Sequence, residues 1–490
     1  MEHKFTSRII HKLHPEIIRS TAARCRRRGI VIPTFRQLAH PEEIAADIQC
    51  RLHDVGLWDV NPLNLFRITW KNDVRSGGFG SVNCLEIPRE ISGISARIIG
   101  LVGQYFPTGA HKVGAAFGCL IPRLVSGNFD PRVHKAVWPS TGNYCRGGAF
   151  DCALLDCTAI AILPEEMSQE RFTWLRGIGA EVIATPGCES NVKEIYDKCW
   201  ELRRDPSNVI FNQFDEFGNS IYHYQVTGRA IQEVLCELGD TTRLAGYVSA
   251  TGSAGTIAAG DYLKRIFPNS FVTATEALQC PTLYMNGFGG HRIEGIGDKH
   301  VPWVHNVRNT DSVAAVDDEE CLKLLRFFNE EAGRNYMQAL GVPTDTIERM
   351  PLLGISSICN LLAAIKAAKY FELDARDVIV TVFTDSVELY GSRIKELQVE
   401  RGVYSPTDAA RDHAALLLGQ KTDFFRELNY RDRKTIHNLK YYTWVEQQGK
   451  TYEEILEQWQ PEYWESIFED EVIYFDELIE QFNAEIARAG

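Results

Sequence analysis

Short apolar runs alternate with amphipathic stretches from about residue 95 to residue 385. The runs are bounded by Gly, Pro, Asn or Asp, as buried strands are, whereas the stretches between them repeat apolar residues at helical spacing. Strand, helix and strand in this order predict parallel β/α units with right-handed crossovers, so the fold class is α/β. Strands are predicted at 133–138, 158–163, 181–185, 209–212, 245–250, 271–276 and 378–383, and the main helices at 147–155, 168–178, 191–203, 222–238, 318–333, 355–370 and 387–397.

Helical segments flank this α/β region on both sides. Residues 1–75 form a helical N-terminal extension with several prolines, and residues 401–490 form an acidic, aromatic and helical C-terminal extension. Between them we predict a large domain, 76–132 and 221–400, which is interrupted by a small mobile α/β domain at 133–220. Because apolar residues at helical spacing usually form packing surfaces, the C-terminal extension is predicted to pack on the core or on a second subunit.

The composition is that of a globular protein with an ample core: 490 residues, of which 44% are hydrophobic and 24% charged. A net charge of -13 and a pI near 5.6 argue against nucleic acid as a partner, because no basic face is available. No apolar run reaches the length of a membrane span, and the first residues lack the apolar core of a signal peptide. We therefore expect no membrane partner.

The thirteen cysteines are scattered through apolar segments and form no CxxC pair. This distribution favours buried free thiols in a reducing compartment over a set of disulfides, and it predicts no metal site. A cytoplasmic protein is expected.

A single lysine, Lys112, stands where a glycine-containing turn enters a helix of small residues (PTGAHKVGAA, 107–116). Small side chains let a bulky group approach the backbone, and a desolvated lysine can lose its proton and attack a carbonyl. A solvated lysine at the start of a helix has the same local sequence. The rest of the chain has to decide between these two interpretations.

A glycine-rich turn, TGSAGT at 251–256, directly follows a predicted strand and opens a helix. Its consecutive small residues expose backbone N–H groups at a helix N-terminus, which is an anion site suited to phosphate. The turn lacks the GK[ST] of a P-loop and the spacing of a dinucleotide-binding fingerprint. The alternative is a tight turn that needs glycine only for its geometry.

Two further polar turns follow predicted strands. The turn PSTGNY at 139–144 offers hydroxyls, an amide and N–H groups that suit a carboxylate, and TDS at 384–386 ends the last predicted strand. Either turn is also compatible with a simple helix cap. All of these turns lie at or near the carboxyl ends of strands, where open α/β sheets bind their ligands.

In this chain order, the lysine and the three turns resemble the fold type II pyridoxal-phosphate enzymes, which include the tryptophan synthase β-chain, cysteine synthase, cystathionine β-synthase and threonine dehydratase. TGAHK at 108–112 is similar to a tryptophan synthase β-chain motif, and STGN at 140–143 to the carboxylate loop of cysteine synthase. DSV at 385–387 followed by Tyr390 is similar to a turn of cystathionine β-synthase. The resemblance covers about 100–397.

The resemblance implies pyridoxal 5'-phosphate as the cofactor, in a two-lobed fold with parallel-rich sheets flanked by helices. Lys112 is implied as the residue that forms the Schiff base and then removes the substrate's α-proton. The implied cofactor contacts are His111 near the phosphate, Asn143 at the 3-hydroxyl, the phosphate-binding residues Gly252, Ser253, Ala254, Gly255 and Thr256, and Ser386 at the pyridine nitrogen. The implied contacts to the substrate carboxylate are Ser140, Thr141 and Gly142.

The implied reaction is α,β-elimination or β-replacement on a small free amino acid, through an external aldimine and an aminoacrylate. A neutral serine at the pyridine nitrogen does not force its protonation, which favours elimination over transamination. Ser140 stands where the tryptophan synthase β-chain has an acidic residue, which argues against tryptophan synthesis. The segment 293–302 is similar to the family's mobile active-site loop, but it carries Asp298 and His300 in place of small residues, and these are candidates for substrate selection or solvated loop charges.

Three alternatives stay open at this point. The chain is also compatible with the β-subunit of a two-subunit enzyme, with another reaction of this fold such as amino-keto acid thiolysis or diaminopropionate elimination, and with a non-catalytic regulatory protein. Family members are usually dimers, and tryptophans on the surface of the C-terminal extension would fit a subunit interface. We therefore expect a homodimer, with a second type of subunit as the alternative.

Overall fold

A computed structural model describes residues 9–10, 12–188, 191–239, 241–296 and 299–488. Within these residues the chain forms a seven-stranded and a four-stranded sheet, flanked by helices. This arrangement confirms the predicted α/β class and the two-lobed architecture. The predicted strands correspond to β3 to β8 and β10 in the numbering given next, whereas β1, β2, β9 and β11 were not predicted.

The strands are β1 Cys84–Ile87, β2 Arg97–Val102, β3 Lys135–Pro139, β4 Thr158–Pro164, β5 Glu181–Thr185, β6 Asn208–Ile210, β7 Arg243–Ala250, β8 Phe271–Ala277, β9 Ser312–Val316, β10 Asp377–Phe383 and β11 Phe425–Glu427. The α-helices are α1 Pro15–Arg27, α2 Phe35–Ala39, α3 Ala46–Leu52, α4 Arg89–Ser92, α5 Lys112–Val125, α6 Asn143–Leu154, α7 Gln169–Gly177, α8 Val192–Leu202, α9 Phe217–Tyr222, α10 Gly228–Glu237, α11 Ala258–Ile266, α12 Thr282–Met285, α13 Asp318–Asn329, α14 Glu331–Ala339, α15 Thr344–Arg349, α16 Ile355–Tyr370, α17 Gly391–Arg401, α18 Pro406–Asp412, α19 Tyr430–Asn438, α20 Tyr452–Glu457, α21 Pro461–Glu465 and α22 Glu471–Arg488. Shorter 3₁₀ segments are Pro41–Glu43, Pro62–Arg67, Gly103–Tyr105, Val307–Asn309, Met350–Leu352 and Val387–Leu389, and π-helical segments are His223–Thr227, His413–Leu418, Tyr441–Val445 and Ser466–Asp470.

The large sheet has the order β1-β2-β10-β7-β8-β9-β11. Its five inner strands run parallel, and the two edge strands are antiparallel to their neighbours. Strand β10 is buried along its whole length, as expected for a near-continuous apolar run in the middle of a parallel sheet. Because β10 and β7 are neighbours, the turn after β10 and the glycine-rich turn after β7 meet at one edge of this sheet.

The small sheet has the order β5-β4-β3-β6, and all of its strands are parallel. Its central strand β3 ends at Pro139, directly before the predicted carboxylate turn, and the neighbouring strand β6 leads to Gln213. The small sheet therefore presents polar residues at its carboxyl edge, as the large one does. The predicted domain limits, including 133–220 for the small domain, stay a prediction.

Helix α5, which begins at Lys112, touches α9 backbone to backbone. A Cβ atom added to Gly118 of α5 would lie 2.1 Å from the carbonyl oxygen of Gly218 in α9. A Cβ atom added to Gly147 of α6 would similarly lie 2.7 Å from the Cα atom of Val113. Glycine is required at both positions because the helices approach more closely than any side chain allows.

The C-terminal extension packs on the rest of the chain, and the expectation that its tryptophans lie on the surface is wrong for two of the three. It is helical as predicted, except for the short strand β11, which pairs with β9 at the edge of the large sheet. Trp444 and Trp464 are buried, and the indole N–H of Trp444 donates to the carbonyl oxygen of Val301 at 2.8 Å, whereas Trp459 is half-buried. The two buried tryptophans therefore give no support to a subunit interface, and the homodimer stays a prediction.

The N-terminal and C-terminal extensions are also hydrogen-bonded to each other. The carboxylate of Asp476 in α22 accepts hydrogen bonds from the backbone N–H groups of Phe35 and Arg36 at the start of α2. The side-chain amide of Asn483 pairs with both the N–H and the carbonyl of Ile32. Both extensions share one hydrophobic core with α5, so they stabilise the helix that carries Lys112.

Among the described residues, no single helix is both long and apolar enough to cross a membrane, although the bent pair Thr344–Leu352 and Ile355–Tyr370 passes that test on length and composition. The longer member of the pair is α16, whose residues 355–368 are buried inside the protein. The thirteen cysteines are free thiols, and Cys50 and Cys236 are exposed.

Replacing Gly118 by alanine is expected to lower the free energy of unfolding by about 2 kcal/mol or more, because the new methyl group would meet backbone atoms that cannot move unless α5 and α9 separate. Denaturant titration measures this change. The matched control is Gly177→Ala in α7, where a Cβ atom meets nothing within 4 Å and alanine should leave stability unchanged or raise it by up to about 1 kcal/mol. Equal unfolding midpoints for the two variants would contradict the close helix contact.

Candidate active site

A narrow cavity of about 10 Å³ lies where the carboxyl edges of the two sheets meet α5. It is lined by Lys112, Ser140, Thr141, Asn143, Tyr144, Gln213, Phe214, Gly252, Ser253, Gly295 and Ile296. Residues from the lysine motif, the carboxylate turn and the glycine-rich turn, which are far apart in sequence, therefore share one space.

Lys112 is half-buried, and its amine points across this cavity. The Nζ atom donates to Ser253 Oγ at 2.8 Å and to Gln213 Oε1 at 3.3 Å. The interpretation of Lys112 as a solvated surface lysine is therefore wrong. Gln213 was not predicted as a site residue, although it follows a strand directly, as the other polar turns do.

His111 is fully buried behind Lys112 and is not among the residues that line the cavity. Its Nε2 atom lies 3.3 Å from Thr384 Oγ1, and its ring meets the ring of His223 edge to face at a centroid distance of 4.9 Å. Burial, reinforced by the charge of Lys112, holds the pKa of His111 well below its usual value. His111 is therefore a neutral group that joins α5 to the turn after β10.

The glycine-rich turn between β7 and α11 has the shape of an anion cradle. Ala254 takes a left-handed conformation with φ of 57°, and in such a turn successive N–H groups point into one concavity. A Cβ atom added to Gly255 would lie 2.0 Å from Asn219 Oδ1, and the Nδ2 atom of Asn219 donates to Ser253 Oγ at 3.1 Å. Beneath the turn, Thr256 Oγ1 lies 2.7 Å from Ser249 Oγ. These residues fit a phosphate-bearing group.

The predicted carboxylate turn is not a helix cap. Helix α6 begins at Asn143 after Gly142, and no side chain caps it. Instead, Ser140 Oγ accepts from the N–H of Gly142 at 3.0 Å, and Arg171 of α7 donates to the carbonyl oxygen of Thr141 at 2.9 Å. These bonds hold the turn open towards the cavity, which Ser140 and Thr141 line.

The side chain of Asn143 bonds the buried carboxylate of Asp385, which was not predicted as a site residue. Its Nδ2 atom donates to Asp385 Oδ2 at 2.6 Å, and the hydroxyl of Tyr390 donates to the same oxygen at 2.8 Å. Arg171 in turn donates to the Tyr390 hydroxyl at 3.1 Å. Burial raises the pKa of Asp385, and the charge of Arg171 and the two hydrogen bonds oppose that rise. Asp385 thus fixes the orientation of the Asn143 amide.

Ser386 lies beside Asp385 but outside the lining of the cavity. Its Oγ atom donates to Gln104 Oε1 at 2.7 Å and also accepts weakly from the N–H of Glu388 at 3.4 Å. The capping alternative is therefore correct as a local description of Ser386. The bond to Gln104 is an additional one that no local sequence signal indicates.

Glu294 joins the two lobes next to the cavity. Its buried carboxylate lies 2.5 Å from Arg393 Nε of α17 and 3.4 Å from Arg171 Nε of α7. The next residues, Gly295 and Ile296, line the cavity, so this ion cluster holds the described first residues of the predicted mobile loop next to the cavity. Of the loop's two candidates for substrate selection, Asp298 lies outside the described residues, and His300 Nε2 lies 2.9 Å from the Tyr196 hydroxyl.

A lysine that faces a phosphate-type turn across one cavity, at the carboxyl ends of parallel strands, is the arrangement of an enzyme that binds pyridoxal phosphate. Comparison with known proteins agrees, since the family described as "Pyridoxal-phosphate dependent enzyme" matches residues 104–342. The chain is 31% identical to a cysteine synthase of Staphylococcus aureus over 255 residues, which are 52% of this chain and 74% of the relative. It therefore belongs to the pyridoxal-phosphate-dependent enzyme family that includes cysteine synthase.

Further comparisons place the fold in the same group. A cystathionine beta-synthase of Saccharomyces cerevisiae is 28% identical over 315 residues, which are 62% of this chain and 59% of that protein. Among solved structures, an O-acetyl serine sulfhydrylase of Entamoeba histolytica matches with a TM-score of 0.56 at 22% identity, over 69% of this chain and 94% of its own. A hydrogen sulfide-producing enzyme of Fusobacterium nucleatum matches with a TM-score of 0.54 at 24% identity, over 63% and 95%. The two structural likenesses concern the fold alone.

Replacing Glu294 by glutamine is expected to lower the free energy of unfolding by about 3 kcal/mol, because Arg171 would keep its buried charge and lose its facing carboxylate. Denaturant titration measures the loss, and hydrogen exchange should show faster opening of α7. The matched control is Glu396→Gln, which removes the exposed partner of Arg393 and should change stability by less than about 1 kcal/mol. Similar effects of the two substitutions would mean that the buried cluster does not hold the lobes together.

Proposed function

We propose that the protein catalyses α,β-elimination or β-replacement on a small β-substituted amino acid, with pyridoxal 5'-phosphate held at Lys112. The observation that carries this proposal is that Lys112 Nζ meets Ser253 of the glycine-rich turn in the same cavity that Ser140 and Thr141 line. The cysteine synthase and cystathionine beta-synthase relatives support a reaction at the substrate's β-carbon.

The residues around the cavity have separate tasks in this proposal. Turn 252–256 binds the cofactor's phosphate through backbone N–H groups, and Asn143, held by Asp385, orients the cofactor ring. When bound, the cofactor withdraws electrons from the substrate's α-carbon. Lys112 moves the α-proton, and Ser253 and Gln213 position its amine.

The substrate's carboxylate fits the turn at 140–142, where hydroxyl and N–H groups offer hydrogen bonds without a positive charge. No acidic side chain is among the described residues that line the cavity. Ser140 occupies the position at which the tryptophan synthase β-chain has its acidic residue, and its Oγ atom accepts from the N–H of Gly142. The proposal therefore favours leaving groups and nucleophiles that need no carboxylate as acid or base.

The experiment starts with the visible absorbance of the purified protein saturated with cofactor. Wild-type protein should show the band of a cofactor bound covalently to lysine, and Lys112→Ala should abolish it because the amine is lost. The matched control is Lys193→Ala, an exposed lysine paired with Asp197 on α8, which should keep the band. A band that survives in Lys112→Ala would contradict the assignment of Lys112.

The same holoenzyme is then screened against O-acetylserine, serine, threonine and diaminopropionate, with and without an added thiol. Elimination should release a 2-oxo acid and ammonia, and replacement should release a new amino acid, each with a change of the visible spectrum. If the protein binds the cofactor but none of these amino acids is converted, the proposed reaction fails while the cofactor site stands.

A further inference from the structure

A second pocket, of about 470 Å³, lies between the two lobes and shares no lining residue with the cavity at Lys112. One wall of this interlobe pocket is formed by residues between 165 and 169 of the small lobe, where β4 leads into α7. The other wall is formed by residues 291, 292 and 294 and by α17. Its volume is that of a site for a small molecule, and the reaction proposed above does not use it.

His291 lines the interlobe pocket although only 4% of its surface is exposed. Its Nδ1 atom accepts from the N–H of Ile293 at 3.2 Å. Burial lowers the pKa of His291 to about 4, with the charge of Lys299 acting in the same direction and that of Asp318 opposing it. The ring is therefore uncharged at neutral pH, and its one proton is on Nε2 because Nδ1 is the acceptor.

The Nε2 atom of His291 is a buried donor that has no hydrogen-bond partner among the described residues. Leaving such a donor unpaired destabilises the folded state, so a ligand that offers an acceptor gains more here than it would at a solvated group. The pocket therefore selects for a molecule with a hydrogen-bond acceptor.

The charged residues of the interlobe pocket favour a ligand with a positive charge. Five glutamates and two arginines line it, so negative charge is in excess. The two arginines already form ion pairs, Arg292 with Asp318 and Arg393 with Glu294. By contrast, the glutamates at 165 and 166 are exposed, and neither forms an ion pair with another residue of the described ranges.

We propose that the interlobe pocket binds a basic amino acid, whose carboxylate accepts from His291 Nε2 and whose side-chain cation lies against Glu165 and Glu166. A carboxylate at His291 also lies within reach of the positive charge of Lys299. An amine without an acceptor would leave the His291 donor unpaired. An amino acid with an uncharged side chain would make no ion pair with the two glutamates.

Glu294 connects the interlobe pocket with the cavity at Lys112. It lines the pocket and faces both Arg171 and Arg393, and the next residue, Gly295, lines the cavity. A ligand that touches both walls holds the lobes in the described arrangement, in which the cavity is narrow, and should therefore slow the entry of a substrate. This effect on turnover rests on the proposed function, whereas the binding of the ligand does not.

The test is isothermal titration calorimetry of the full-length protein with L-lysine and L-arginine as probes. Cadaverine is lysine without its carboxylate, and norleucine is lysine without its side-chain amine. Both should bind about tenfold more weakly than lysine, because each lacks one of the two groups that the pocket recognises. Bound lysine should also slow hydrogen exchange in α7 and α17, which contribute to the two walls.

Two variants locate the binding. His291→Asn retains an acceptor for the N–H of Ile293 but removes the Nε2 donor, and the double substitution Glu165→Gln, Glu166→Gln removes two exposed charges. Each variant should weaken lysine binding by about five- to tenfold. The matched control is Glu181→Gln, an exposed glutamate of the small lobe outside the pocket, which should bind lysine as wild type does.

A further pair of measurements separates this pocket from the cavity at Lys112. Lys112→Ala should bind lysine as wild type does, and lysine should leave the visible band of the cofactor-loaded protein unchanged. The inference is overturned if neither lysine nor arginine binds, if cadaverine binds as well as lysine, if both pocket variants bind as wild type does, or if Lys112→Ala loses the binding. A protein that binds lysine but shows no cofactor band would sink the proposed function alone.

Discussion

The backbone contact between α5 and α9 determines where Lys112 lies relative to its partners. Gly118 and Gly218 bring the two helices into contact, and Lys112 is the first residue of α5. Asn219, the neighbour of Gly218, reaches Ser253 of the glycine-rich turn, so the same helix contact sets the position of that turn. One pair of glycines thus sets the position of the amine of Lys112 relative to the glycine-rich turn that follows β7.

The second constraint is a group of buried charged side chains around Arg171 that bridges the two lobes. Arg171 of the small lobe bonds the Thr141 carbonyl and the Tyr390 hydroxyl and faces Glu294, so the carboxylate turn, the turn after β10 and the loop over the cavity share one guanidinium. A buried charge destabilises the folded state unless an opposite charge faces it. Removing one member of a buried pair therefore leaves the other as an unpaired buried charge. The two lobes are therefore held at a set distance by groups that do not themselves line the cavity.

Much of the fold and part of the site could be predicted from the sequence. The alternation of apolar runs and helices indicates β3 to β8, and polar turns after strands indicate Ser140, Ser253 and Ser386, because parallel strands end at one edge. Strand β9, Ser312–Val316, is built largely of alanine and valine and lacks the flanking pattern of the others. Asn143 and Arg171, which both act on Asp385, lie far from it in the chain. Only the folded structure therefore shows that these residues meet. Aromatic residues at helical spacing indicated that the C-terminal extension packs, but not against which surface.

The central claim is that Lys112 holds the cofactor opposite the glycine-rich turn. Reducing the holoenzyme with borohydride makes the bond between lysine and cofactor permanent, and mass spectrometry of the digested protein then locates it. The account predicts a phosphopyridoxyl group on Lys112, in amounts close to one per chain. A label on another lysine, or spread evenly over several lysines, would contradict it.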